Sequence, residues 1–232
     1  MNFSIVIPLY NEEQNINNLI QEIFFHLKNI EFKFEILLVN DASTDNSHDV
    51  LQNLKNKYKD KVIIINNNIN LGQSFSLIKG IEKSRYKTIV TLDGDGQNNP
   101  KDIKSLLEKY MSDELIYLVG GIRQKRKDNL IKMISSKIAN GVRKFILRDN
   151  CNDTGCSLKV FDKDVFLHFP KFRGIHRFLP ALYKGFGKKT FFINVDHRPR
   201  IYGYSKYGTV ERLFAGVLDL LRVYIIIKKY KK

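Results

Sequence analysis

Short β-branched runs alternate with segments of helical period through the first half of the chain, and this alternation narrows the fold more than any other feature. Ser4–Ile7, Glu35–Val39, Val62–Ile65, Thr88–Leu92 and Tyr117–Val119 read as strands. Between the first two, Ile16, Leu19, Ile20, Ile23, Phe24 and Leu27 recur every three or four residues, which marks one face of a helix. Asn11 is its expected cap, with Glu12 and Glu13 suited to the positive end of the helix dipole. Further helices are expected on Val50, Leu51 and Leu54, on Phe75, Leu77, Ile78 and Ile81, and on Ile103, Leu106 and Leu107. Nearly continuous apolar strands alternating with helices predict an α/β domain, its central sheet mostly parallel and covered by helices on both faces. Ligands of such sheets collect at the carboxyl ends of the strands.

The second half is less regular. A basic, amphipathic stretch spans Asn129–Leu147, and strand-like runs follow at Ser157–Phe161 and Thr190–Val195. Val210–Tyr230 predicts a C-terminal helix with Leu213, Val217, Leu220, Leu221, Tyr224 and Ile225 on one face. Lys228, Lys229, Lys231 and Lys232 flank it, while Asp219 and Arg222 interrupt the apolar run and argue against a membrane span. Either it lies in a membrane interface beside anionic headgroups or it packs on the domain with a basic tail. No repeat, low-complexity tract or flexible linker divides the chain. The expected organisation is one main domain over residues 1–208 and an amphipathic, basic helix over 209–232 at a membrane surface.

The formal net charge of +15 predicts attraction to polyanions, which include nucleic acid, anionic lipid and phosphorylated substrates. Cys151 and Cys156 share one short segment without further Cys or His, and so read as reduced structural thiols. With no signal-like leader and no run of ~20 apolar residues, the expected location is the cytoplasm, peripheral on the inner face of the membrane.

Chemistry concentrates at the predicted sheet edge. Leu92-Asp93-Gly94-Asp95-Gly96-Gln97 follows the fourth strand directly. Two carboxylates one residue apart can share a hard divalent cation, Mg²⁺ or Mn²⁺, with the Gln97 side-chain oxygen as a further ligand. The same Asp-Gly pairs also form ordinary polar turns. Two other loops at this edge, Pro8–Glu13 and Asn40–Ser47, are polar as well. In the second, Asp41 can accept from the donor edge of a base, whereas Ser43, Thr44 and Asp45 read as turn and capping residues. Gly72 stands where backbone can approach a ligand closely.

The segments Ile7-Pro8-Leu9-Tyr10-Asn11-Glu12, Val39–Asp45, Asn70-Leu71-Gly72 and Asp93–Gln97 occur in the order seen in family 2 glycosyltransferases. Gly121–Arg126, Asp153–Lys159 and Arg200–Tyr207 resemble the dolichol- or polyprenyl-phosphate branch, so the likeness runs along the whole chain. The resemblance implies a glycosyltransferase A-type nucleotide-binding fold and inverting, metal-dependent transfer from a nucleotide sugar, GDP-mannose or a UDP-sugar, to undecaprenyl or dolichyl phosphate. It implies that Pro8, Tyr10, Glu12 and Asp41 line the base and ribose pocket, with Gly72 beside them. Asp93, Asp95 and Gln97 would hold the metal on the donor diphosphate, and Arg200, Ser205 and Lys206 would close over it. Arg123, Lys132 and Ser136 would grip the acceptor phosphate, and Asp153 would sit at the reaction centre with Asp95 and Arg123. The chain departs from the family's pattern in Asn40, where an Asp is common, and in Lys132, where an Arg is common.

Outside that likeness, Arg123 after Gly120-Gly121 is the favoured phosphate ligand in a basic run whose other members read as solvated. His176 and Arg177 either guide the acceptor or make structural contacts, and His197 and Arg198 fit a surface position equally. Two competing functions remain: a relative with a non-lipid acceptor, and a non-catalytic basic protein that binds nucleic acid or membrane. The carboxylate cluster would repel nucleic-acid phosphates, so no nucleic-acid partner is expected; a membrane-protein partner or a second copy stays open. No Gly-x-Gly-x-x-Gly or P-loop pattern supports a dehydrogenase or P-loop enzyme.

Overall fold

The computed structural model describes residues 1–124, 141–200, 202 and 209–230, with backbone alone over 209–215. β1 (Phe3–Leu9) leads into α1 (Ile16–His26), β2 (Phe34–Asn40), α2 (Ser47–Tyr58), a 3-10 turn (Lys59–Lys61) and β3 (Val62–Asn66). Then come α3 (Gln73–Lys83), β4 (Thr88–Thr91), α4 (Asp102–Met111) and β5 (Ile116–Arg123). Helical residues 141–147 form α5. β6 (Lys159–Asp162), α6 (Lys163–Leu167), α7 (Ile175–Gly185), β7 (Lys189–Val195) and α8 (Thr209–Tyr230) complete the order.

The seven strands form one sheet in the order β3-β2-β1-β4-β6-β5-β7. Side chains along β1 alternate between its two faces. Ile5 and Ile7 join α1, α2 and α4 in one buried cluster, while Val6 joins α3, α7 and α8 in the other. Right-handed crossovers place α1 and α2 on one face and α3, whose connection runs back across the sheet, on the opposite face. There α3 comes close: a Cβ on Gly80 would stand 2.4 Å from Val6 Cγ1 and 2.9 Å from Val39 Cγ2.

β1 pairs in parallel with β2 and β4, β2 with β3, and β5 with β7, whereas β6 is antiparallel to both β4 and β5. The mostly parallel expectation holds. The reversed β6 matters because it enters the sheet from the edge at which its neighbours end, and so delivers the segment before it to the ligand edge.

Several local expectations change. α1 begins at Ile16 with Asn15 at its cap position and no acidic residue in its first turn, so neither Asn11 nor Glu12 and Glu13 serve it. Asn11 instead takes a left-handed backbone, φ 54°, and bonds to the loop after β2. Phe75 faces outward at 37% exposure, while Leu77, Ile78 and Ile81 are buried. α8 has two apolar faces. Leu220, Val223 and Ile227 are buried, and Val217, Leu218, Leu221, Tyr224 and Ile225 are exposed. Its inner face sits tightly on α7, where a Cβ on Gly185 would meet Ile227 Cγ1 at 2.5 Å. Asp219 is buried and pairs with Arg177 of α7 at 2.9 Å. The Leu213 side chain, Lys231, Lys232 and most of the basic stretch before α5 lie outside the described residues.

Candidate active site

Register fixes where the chemistry gathers. Leu9 pairs with Asn40 and Asn40 with Asn66, so the loops after β1, β2 and β3 leave the sheet side by side. The strand order reverses between β1 and β4, which lie side by side and parallel, and such a switch point is the crevice where open parallel sheets bind ligands. The turn after β4 docks into it: a Cβ on Gly94 would touch Leu9 Cβ at 3.2 Å and Pro8 O at 3.6 Å.

The first two loops are laced together. Asn11 N donates to Ser43 Oγ (2.9 Å), Thr44 N to Asn11 Oδ1 (2.8 Å) and Glu12 N to Ser47 Oγ (3.0 Å). Asp45 Oδ1 accepts from Ser47 N at 3.0 Å, the turn role expected of it. Ala42 holds a left-handed φ of 57°, an uncommon conformation for a residue with a Cβ. Asp41, 3% exposed, accepts from Leu71 N (2.9 Å), Gly72 N (2.8 Å) and Asn67 Nδ2 (2.7 Å). Its carboxylate therefore fastens the loop carrying Gly72, whose φ of 84° suits glycine. Asn40 plays a similar local part, donating to Asn66 Oδ1 and accepting from Ser43 N.

The Asp93–Gln97 turn faces this wall. Gln73 Nε2, at the start of α3, donates to Asp93 Oδ1 at 2.6 Å. Burial, then the neighbouring Asp95 charge, raises the Asp93 carboxyl to about 6; burial raises Asp95 as well. Arg200 reaches the same turn from beyond β7. Its Nη2 donates to Glu12 Oε1 at 2.5 Å and its Nη1 lies 3.9 Å from Asp95 Oδ2. Gln97 Nε2 donates to Arg198 O at 3.3 Å and stands 3.4 Å from His197 Nε2. Two close carboxylates with raised pKa values form a set that a divalent cation would relieve. Among the described residues no group of three or more His, Cys, Asp or Glu could hold a metal by itself. A cation on Asp93, Asp95 and Gln97 would therefore need water or phosphate oxygens to complete its shell, as Mg²⁺ commonly does.

A second constellation lies along the same edge, at the end of β5. Arg123 Nε and Nη2 donate to Asp153 Oδ2 and Oδ1, both at 2.7 Å, and Arg123 N adds a third bond at 3.1 Å. The two side chains are 13% and 9% exposed. Burial opposes the guanidinium charge, but Asp153 outweighs it and raises the Arg123 pKa. Gly155 leaves room for this fork, since a Cβ there would come 2.9 Å from Arg123 Nη2. Asp153 is thus engaged with Arg123 rather than open to solvent.

Of the residues read from the sequence, Pro8, Glu12, Gly72, Asp93, Asp95, Gln97 and Arg200 meet at the crevice, with Tyr10 leaving the end of β1 beside them. Asp41 braces it from behind. Arg123 and Asp153 meet each other further along the edge. Lys132, Ser136, Ser205 and Lys206 lie outside the described residues. Sequence reasoning missed Gln73 and left His197 undecided between this edge and the surface. Each stands just beyond a loop or strand end at this edge, and that position was the available signal. His176 makes a structural contact, with Nδ1 2.8 Å from Ser74 Oγ.

A reversing α/β sheet with a carboxylate-bearing turn at its switch point and a buried Arg–Asp fork alongside defines a domain suited to a phosphorylated, nucleotide-like ligand. The chain belongs to glycosyl transferase family 2, whose model matches residues 4–169. It is 34% identical over 238 residues to dodecaprenyl-phosphate galacturonate synthase of Rhizobium johnstonii, covering 100% of this chain and 68% of that protein. It is 30% identical over 208 residues to undecaprenyl-phosphate 4-deoxy-4-formamido-L-arabinose transferase of Edwardsiella ictaluri, covering 90% of this chain and 63% of that one. The chain thus spans about two thirds of the length of these relatives. In fold it resembles mannosyl-3-phosphoglycerate synthase from Rubrobacter xylanophilus, with a TM-score of 0.73, 13% identity, and 96% and 73% of the two chains covered. It also resembles glucosyl-3-phosphoglycerate synthase from Mycobacterium tuberculosis in complex with Mn²⁺, UDP-glucose and phosphoglyceric acid. That TM-score is 0.70 at 14% identity, over 97% and 79% of the two chains.

Proposed function

We propose that this chain transfers a sugar from a nucleoside diphosphate donor to a polyprenyl phosphate, inverting the anomeric carbon. The observation that carries the reading is the placement of the Asp93/Asp95 turn and the Arg123–Asp153 fork along one sheet edge. It occurs in a chain 34% identical to a protein named dodecaprenyl-phosphate galacturonate synthase.

A divalent cation held by Asp93, Asp95 and the Gln97 side-chain oxygen would supply Lewis-acid stabilisation of the departing diphosphate. Arg200, already beside Asp95 and Glu12, adds a positive charge aimed at the same group. Pro8, Tyr10, Glu12 and the loop fastened by Asp41 bound the space for base and ribose. A phosphate monoester has a second pKa near 6 and so is largely ionised at neutral pH. One of its oxygens attacks the anomeric carbon, and the bond from that carbon to the donor diphosphate breaks, its electron pair leaving with the nucleoside diphosphate. No proton need be removed, so Asp153 orients Arg123 toward the acceptor phosphate instead of serving as a base.

The outer face of α8 supports seating at a lipid surface. Val217, Leu218, Leu221, Tyr224 and Ile225 form an exposed apolar ridge flanked by Arg222, Lys228 and Lys229. Beside it opens a groove of about 760 Å³ lined by His168, Pro170, Phe186, Leu221, Ile225 and Tyr230 among others. Among the described residues no helix is long and apolar enough to cross a membrane.

The direct test mixes the protein with undecaprenyl phosphate and a panel of UDP- and GDP-sugars, with Mn²⁺ or EDTA. Sugar extracted into organic solvent with one donor, and only with Mn²⁺, is expected. Transfer to a water-soluble acceptor alone, or to none, would sink the reading.

A further inference from the structure

The loop that carries Asp153 is gripped at both ends by buried cations. At one end stands Arg143 of α5, 6% exposed. Its Nη1 donates to Thr154 Oγ1 at 2.6 Å, its Nη2 donates to the Cys151 carbonyl, and its Nε lies 3.0 Å from Asp149 Oδ2. Asp149 is fully buried and also accepts from Cys151 N at 3.1 Å. At the other end Lys159, 3% exposed, donates from Nζ to the Cys156 carbonyl. Burial pushes this amine's pKa down. Between the two grips Asp153 holds Arg123.

Arg148, just past the end of α5, has a left-handed φ of 51°, uncommon for a residue with a Cβ, and Asn150 one of 55°, which asparagine adopts more readily. A buried ion pair is a poor source of stability, since an apolar pair of similar size often serves as well or better. Stability alone therefore does not account for Arg143 and Asp149.

We propose that Arg143 is a positioning residue: by holding Cys151 O and Thr154 it sets the place of the Asp153 carboxylate, and through it the Arg123 guanidinium. Lys159 is the matching hold at the far end. The inference rests on the transferase reading for its kinetic consequence, though not for its structural one.

Two variants test it. Arg143→Met with Asp149→Leu removes both buried charges together, so neither is stranded. Arg143→Lys keeps a charge but loses the planar fork. Both are compared with the unaltered chain by thermal melting, by UDP and GDP binding with Mn²⁺, by amide exchange over residues 151–156, and by sugar transfer. Expected are a preserved fold, nucleotide affinity and donor KM within about two-fold, faster exchange at 151–156, and kcat lowered roughly ten- to a hundred-fold by misplacement of the fork. Unchanged exchange in a folded variant, or a kcat within about two-fold of the unaltered chain, would overturn the proposal. Failure of the unaltered chain to transfer sugar would refute the transferase reading instead, and the exchange rates would still decide the grip.

Discussion

Replacing Asp93 by asparagine should make the protein more stable while disabling it. The carboxyl is raised from 3.8 to about 6, first by burial and then by the charge of Asp95. Between those two values the folded chain keeps a proton that the unfolded chain releases. The carboxyl thus favours the folded state below its ordinary pKa, and that contribution is lost as pH rises through about 6. A difference of about two units, at 1.36 kcal/mol each, is about 3 kcal/mol. Asp93 keeps partial contact with solvent, which screens the charge and leaves ~1–3 kcal/mol. Asparagine carries no charge, and its Oδ1 can still accept the 2.6 Å bond from Gln73. At about 2–4 °C per kcal/mol for a chain of this size, Asp93→Asn should melt ~2–12 °C higher at neutral pH in EDTA. The gap should shrink as pH falls toward the ordinary carboxyl value. Scanning calorimetry of both proteins across that pH range checks this. An unchanged or lower midpoint for the variant, or a gap indifferent to pH, would refute the argument that a strained charge is stored there. The further stabilisation given by Mn²⁺ with a nucleoside diphosphate should weaken in the same variant, because a ligand stabilises only the state that binds it.

Asp95→Asn should abolish sugar transfer with the fold intact, and full, still metal-dependent activity would remove Asp95 from the site. Arg200→Ala breaks the pair with Glu12 and should raise the donor KM roughly ten-fold or more, with little change in melting; an unaltered KM would place diphosphate recognition elsewhere. Gly80→Ala drives a methyl group into Val6 and Val39 and should cost about 1–3 kcal/mol, measured by urea unfolding. Leu221→Glu with Ile225→Glu should weaken binding to anionic vesicles while leaving melting unchanged, since both side chains are about half exposed. Equal vesicle binding would move the lipid contact off α8.

β1, β2 and β4 were legible because each is buried on both faces, and a run such as Ile5-Val6-Ile7 has few other ways to fold. β5, β6 and β7 were also found, but nothing in their residues says that β6 runs backwards, since a four-residue buried strand looks alike in either direction. Capping of α1 was misread because Asn11 and Glu12 are claimed by bonds across to the neighbouring loop, more than thirty residues away in sequence. The α8 face was read as a single stripe. α7 covers Leu220 and leaves Leu221 outside, and only tertiary contact separates such neighbours. Motif order located the carboxylate turn and the Arg123 and Asp153 positions. That these last two bind each other, and that His197 comes to Gln97, depends on where β5, β6 and β7 end together.

The reversed strand has a consequence for how the molecule is made. Glu12 must wait for Arg200, 188 residues later, and Gln97 for His197 and Arg198. Contacts of such high sequence separation slow folding, because a long loop must close before they repay its entropy. As the chain emerges from the ribosome, the first four strands can pair early, yet the crevice remains half-built until the last strand arrives. The Glu12–Arg200 pair that closes the crevice is thus among the last contacts the folding chain can make.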